Sequence, residues 1–322
     1  NQIAKMKKLG IILLLSVFAG GLFAQQIPQL SFRHQNLMIQ NPAAAGTSLG
    51  QEIKILHRQQ WVGFDNAPTT SFISYQQNFR TTNGLGGYLI SDRTFPTSRF
   101  IVNASYSYII EMDDVKLAFG LAALVMQYRF KNTDLSYREL GDPSLDFSTD
   151  QKWRPEANAG LLVYGNNFYG GFSISQLIKS GFRPFSTGDY GLVQMNRHFC
   201  ISGQYDFYAG QNRISPGIFA EYVKSAPFIS EYSVYYSFDN MIYGSATYRF
   251  ADALCFAVGY RYERFYLAYS FDIVTSSLRN ANSGSHEIMF AVNISGTKTN
   301  TPMFSSGGSS RRNSRNSGRI FY

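Results

Sequence analysis

The sequence predicts an all-β fold: a transmembrane antiparallel β-barrel of about 14 strands. Three observations carry that prediction. The first is composition: of 322 residues 44% are hydrophobic and only 16% charged, with 27 Phe, 22 Tyr and 28 Gly. Soluble domains carry roughly 25% charged residues, and a chain this aromatic is not a disordered one. The second is period-two alternation of apolar and polar residues, repeated in segments of about ten residues between turns. The third is the length of the connections, which alternates between short and long along the chain.

Taken in chain order, residues 1–24 read as a signal peptide with some upstream sequence. Met6-Lys7-Lys8 precedes a charge-free apolar run, Leu9–Phe23, which ends at Ala24. A basic start, an apolar core of roughly 7–15 residues and a small terminal residue describe an export signal. The run is shorter than the roughly 20 residues a membrane helix needs. Residues 25–51 are expected to form a periplasmic N-terminal segment. Within it, Asn41-Pro42 followed by Gly46 reads as a turn laying the segment across the mouth of the lumen, with a simple periplasmic lead-in as the alternative.

Residues 52–295 carry the barrel. Strands are expected near 52–60, 70–80, 85–92, 99–110, 115–130, 154–164, 168–176, 194–208, 213–224, 228–238, 241–250, 254–262, 265–273 and 286–295. The alternation is clearest late in the chain: Phe265, Leu267, Tyr269 and Phe271 on one face, Tyr266, Ala268, Ser270 and Asp272 on the other. Thr81–Gly84, Glu111–Asp114, Gly165–Asn167, Ala209–Asn212, Asp239-Asn240 and Glu263-Arg264 are tight polar connections. Every long one falls between them: Trp61–Thr69, Lys131–Trp153, Leu177–Val193 and Val274–Ser285. Outer-membrane barrels have short periplasmic turns and longer outer loops, and an even strand count returns both termini to the periplasm.

Two sets of residues in the barrel are candidates for function. Arg249, Arg261, Glu263, Asp272 and Glu287 fall on the polar face of the last strands and are expected to pair across the lumen and close it. Trp61, Phe64, Asp65 and Pro68 in the first long loop form a rigid amphipathic knob suited to protein contact. An aromatic anchor at the lipid interface is the alternative for that knob.

Residues 296–322 are rich in Ser, Asn and Arg and read as a disordered basic periplasmic tail. Of the net charge of +8, the first 24 residues hold +3 and the tail +5, leaving the body neutral. The basic balance is therefore no evidence for a nucleic-acid-binding body, which would cluster Lys and Arg on a folded face, and no nucleic-acid partner is expected. Arg311, Arg312 and Arg315 are candidates for contact with an acidic protein surface, against the alternative of a solvated arm without a partner.

Catalytic patterns are missing. His34, His57, His198 and His286 have no metal-ligand spacing, and no nucleophile elbow, phosphate loop or dinucleotide fingerprint stands out. Cys200 and Cys255 fall on strands expected not to be neighbours, so no disulfide is expected. No enzyme activity, metal or cofactor is predicted.

Gln29-Leu30-Ser31, Asn41-Pro42-Ala43-Ala44-Ala45-Gly46 and Arg58-Gln59-Gln60-Trp61-Val62-Gly63-Phe64-Asp65-Asn66-Ala67-Pro68-Thr69-Thr70 together resemble the N-terminal signature of the PorP/SprF-like family of type IX secretion outer-membrane proteins. Phe168–Ser173 looks like its mid-chain segment. Gly259–Tyr262, Phe265–Asp272 and Gly284–Ile288 look like its C-terminal signature. Ala44 stands where an aromatic is common, and the long tail is not expected of every member. The resemblance covers residues 25–295. It implies an outer-membrane protein of Bacteroidota that supports secretion or surface attachment of a cargo or adhesin carrying a C-terminal secretion signal. It also implies the periplasmic type IX ring or peptidoglycan-binding subunits, and gliding motility, as partners and context. A channel or transporter for small solutes is the competing function. A plugged lumen favours the secretion component; an open polar one favours the channel.

Overall fold

A computed structural model of the chain describes residues 28–48, 50–79, 82–131, 149–182, 193–276 and 282–294. Its strands are β1 Gln51–Gln59, β2 Thr69–Phe79, β3 Asn83–Thr94, β4 Thr97–Met112, β5 Val115–Lys131, β6 Thr149–Gly165, β7 Phe168–Ser175, β8 Gly181–Phe182, β9 Val193–Gln194, β10 His198–Tyr205, β11 Phe207–Ala209, β12 Asn212–Val223, β13 Ile229–Phe238, β14 Ile242–Arg249, β15 Ala253–Tyr262, β16 Phe265–Val274 and β17 Ser285–Asn293. Fifteen of these form one antiparallel sheet in the order β10-β7-β6-β5-β4-β3-β2-β1-β17-β16-β15-β14-β13-β12-β11. β8 and β9 pair only with each other.

Two pairings close the sheet into a ring. β1 meets β17, Glu52 opposite Asn293 through Gln59 opposite His286. β10 lies between β7 and β12, and β11 continues it beyond Asp206. Counting β10 and β11 as one stave, the barrel has 14, as the alternation predicts. Every stave of the ring thus has a neighbour on both sides, the condition for placing strands in lipid. Among the described residues no helix is long and apolar enough to cross a membrane.

The pleat decides which residues face where. In β16, Phe265, Leu267, Tyr269 and Ile273 are exposed on the outside, while Tyr266, Ala268, Ser270 and Asp272 are buried inside. β15 follows suit, with Phe256, Val258, Tyr260 and Tyr262 outside and Cys255 and Arg261 inside. The outer surface is thus a belt of exposed Phe, Tyr, Leu, Ile and Val, the side that apolar lipid covers. Cys200 and Cys255 are free and buried, one on β10 and one on β15.

The inside is full. Residues 28–48 form a strap through the lumen: a turn of 3-10 helix at Arg33–Gln35, a short helix α1 at Leu37–Gln40, and a second 3-10 turn at Pro42–Ala44. The segment thus lies within the lumen, deeper than a turn laid across its mouth. Leu30, Phe32, Met38 and Ala45 join Leu56, Phe72, Tyr88, Leu124 and Met289 in one apolar cluster. Ala43 and Ala44 pack in a second cluster with Ile109, Ala118, Leu162 and Tyr164. Burying the apolar side of a segment that is too short to fold alone is what holds it inside.

Candidate functional site

The strap and the lumen wall meet in two chemically different zones. At the long-loop end the contacts are charged. Arg58, near the end of β1, reaches Asp272 of β16 at 2.7 Å and Glu287 of β17 at 3.1 Å. Both carboxylates also hold the strap. Glu287 accepts the backbone N–H groups of Ser31 at 2.8 Å and Phe32 at 3.0 Å. The Ser31 hydroxyl donates to Asp272 at 2.7 Å and accepts from Arg58 at 2.6 Å. Every member of this knot except Ser31 is buried, so its charges are paired, as burial requires.

A second knot adjoins the first. Arg249 of β14 pairs with Glu231 of β13 at 2.9 Å and with Asp252 at 3.1 Å, and lies 3.9 Å from Asp272. Arg33 of the strap reaches the same Glu231 at 3.2 Å and Glu221 of β12 at 3.8 Å. Its guanidinium also stacks 4.3 Å above the Phe219 ring. Glu221 is in turn bonded to His198 of β10. A continuous chain of buried charges therefore runs from Glu287 to His198 around one side of the lumen, and the strap supplies one cation to it.

Toward the short-turn end the strap is held mainly through its backbone and lies close to the wall. The Lys54 ammonium donates to the Gln35 carbonyl at 2.5 Å, and Ser173 donates to that of Gln40 at 2.7 Å. The Asn41 side chain donates to the Leu161 carbonyl at 2.9 Å and caps Ala43 N–H at 3.0 Å. Here the strap lies directly on wall backbone. A Cβ at Gly120 of β5 would land on the Ala43 nitrogen, and one at Gly160 of β6 on the Asn41 side chain. Glycine is required at both because nothing larger leaves room for the strap.

Above the charged end sits a pair of loops. Trp61 is half-buried with a left-handed backbone, and its N–H donates to the Ser285 hydroxyl at 3.2 Å. Val62 N–H donates to the Gly284 carbonyl and Ser283 N–H to the Val62 carbonyl, each at 2.8 Å. The first long loop is thereby zipped to the last. Phe64 is 50% exposed and Asp65 is also exposed.

These placements sort the expected residues. Arg249, Asp272 and Glu287 are in the buried charge chain. Arg261 is buried in the lumen but lies over the rings of Tyr243, at 5.4 Å, and Tyr266, at 6.0 Å. Glu263 is a correction: it occupies the tight turn between β15 and β16 with φ 51° and is exposed, because the alternation ends one residue before it. Pro68 is buried, its carbonyl accepting from Gln60 N–H at 2.9 Å, so it braces the loop instead of presenting a knob. Arg311, Arg312 and Arg315 lie outside the described residues. Sequence reading missed Ser31, Arg33, Arg58, Glu221 and Glu231. The last three sit on inward positions of β1, β12 and β13, where the same alternation marks them.

Among solved structures, the chain resembles a Pseudomonas aeruginosa FadL homologue at 9% identity and TM-score 0.47, covering 85% of this chain and 95% of that one. It resembles a deletion mutant of the TodX monoaromatic hydrocarbon channel at 9% and 0.47, covering 80% and 94%. The CymD monoaromatic hydrocarbon channel matches at 11% and 0.46, covering 79% and 90%. No curated protein matches the chain. The family model of the type IX secretion system membrane protein PorP/SprF matches residues 22–292, a span that takes in the strap, the zipped loops and every stave of the barrel. The chain belongs to that family, and its barrel is an outer-membrane component of type IX secretion.

Proposed function

We propose that this barrel is a non-enzymatic holder of a partner: it supports the secretion or surface attachment of a cargo protein at its long-loop end. The observation that carries this reading is the filled lumen. A solute channel needs a polar path, whereas here a strap tied by Arg58, Asp272, Glu287, Arg33 and Glu231 occupies the lumen from end to end. The loop surface above offers Phe64 and Trp61, the aromatic type that dominates protein contacts. The basic residues Arg311, Arg312 and Arg315 are proposed to meet an acidic surface of the periplasmic ring or a peptidoglycan-binding subunit, and cargo with a C-terminal secretion signal to meet the loops.

Two measurements test this. Co-purification from the native membrane should recover a surface protein. Phe64→Ala should reduce that recovery equally at low and high salt, because apolar burial is not screened. Deleting 296–322 should weaken only a salt-sensitive association. Recovery unchanged by both variants would sink the proposal, and a steady large conductance of the unaltered protein in planar bilayers would favour the channel.

A further inference from the structure

The strap runs the lumen in one direction. Its first contacts are at the long-loop end, where Ser31 and Phe32 are held by Glu287, the third residue of β17 counted from that end. Arg33 reaches Glu221, the third residue of β12 from the same end. Gln35 is held by Lys54, midway along β1, and Asn41 lies on Leu161 of β6, near that strand's short-turn end, and on Phe172, midway along β7. The Gly46 carbonyl finally accepts from Asn78, next to the last residue of β2 before its tight turn, at 3.2 Å. β1 begins five residues later and climbs back toward the long loops. The chain therefore descends through the lumen before it enters the wall.

Short turns face the periplasm in outer-membrane barrels and long loops face outward. We propose that the strap enters the lumen from the cell-surface side, so that the residues preceding Pro28 are presented at the cell surface beside the zipped loops of Trp61–Val62 and Ser283–Gly284. This is opposite to a periplasmic N-terminus. It does not depend on the partner-holding reading. The direction is fixed energetically: turning the strap round would strip Glu287 of two backbone donors and Glu221 and Glu231 of Arg33, all in buried surroundings. The segment 25–30, Gln-Gln-Ile-Pro-Gln-Leu, is uncharged, and the first loop adds one acid, Asp65. Together the two segments carry that single acid and are otherwise rich in amides and aromatic rings.

The test is accessibility in intact cells, using the full chain. Cys200 and Cys255 are buried, so the unaltered protein is silent toward a membrane-impermeant maleimide. Gln26→Cys should label as fully in intact cells as after the outer membrane is permeabilised. Gln211→Cys, in the exposed turn between β11 and β12, should label only after permeabilisation. An epitope inserted between Ala24 and Gln25 provides a second readout that does not rely on one side chain, and antibody should bind it on intact cells. Labelling of Gln26→Cys or antibody binding that requires permeabilisation overturns the proposal. So does labelling of Gln211→Cys in intact cells, which would invert the barrel.

Discussion

At Arg58, one guanidinium answers two carboxylates that a truncation would leave facing each other. Arg58→Ala removes the partner of both Asp272 and Glu287, and breaking a buried pair costs about 3–5 kcal/mol. The expected outcome is a clearly lower urea midpoint in detergent, with Arg58→Lys intermediate, because an ammonium keeps the charge but loses the planar fork. Glu263→Gln should leave the midpoint unchanged, since Glu263 is exposed in its turn. The contrast shows what was legible at this scale. Inward-facing charges could be read from alternation as long as the strand continued, and Glu263 fails because the strand stops. Which charges meet could not be read, because Arg58 and Glu287 are 229 residues apart in sequence.

Among the elements, the strap is the one least visible in the sequence. Asn41-Pro42 and Gly46 announce a turn, but nothing local says that Gly120 and Gly160, on two later strands, clear the space in which it sits. Gly120→Val should therefore unseat it. Overpacking of a filled interior costs about 1–3 kcal/mol, and the displaced strap should leave a conducting lumen in planar bilayers, whereas the unaltered protein stays closed. Gly210→Ala, at a turn where a Cβ meets nothing within 4 Å, is the control for loss of glycine as such, though its φ of 62° carries a small strain of its own. The loop pair makes a second element-scale prediction. Ser283→Pro removes the N–H that donates to Val62, a bond worth about 0.5–1.5 kcal/mol. It should free the first loop for cleavage by protease added outside while the barrel remains inserted.

For the whole molecule, a closed ring of paired strands should unfold as a barrel does. The protein in detergent should show β circular dichroism and migrate faster on gels unheated than boiled; identical mobility in both states would argue against closure. Most of this scale was legible. Alternation placed each stave and connection length set the parity, because both follow from the period-two pleat and from which end faces water. The filling of the lumen was not, since period two separates inside from outside but is silent about what occupies the inside.

The strap also constrains the order of assembly. It lies inside a ring whose last seam joins β1 to β17, the first stave to the final one. Only residues 49 and 50 separate the strap from β1, so the first stave and the strap are placed together. The simplest order lets the concave face of a still-open sheet, from β2 round to β16, receive the strap first, with the Asp272 carboxylate already in place. Seam closure then becomes the step that traps it, and a chain that closed early would be left with an empty pore.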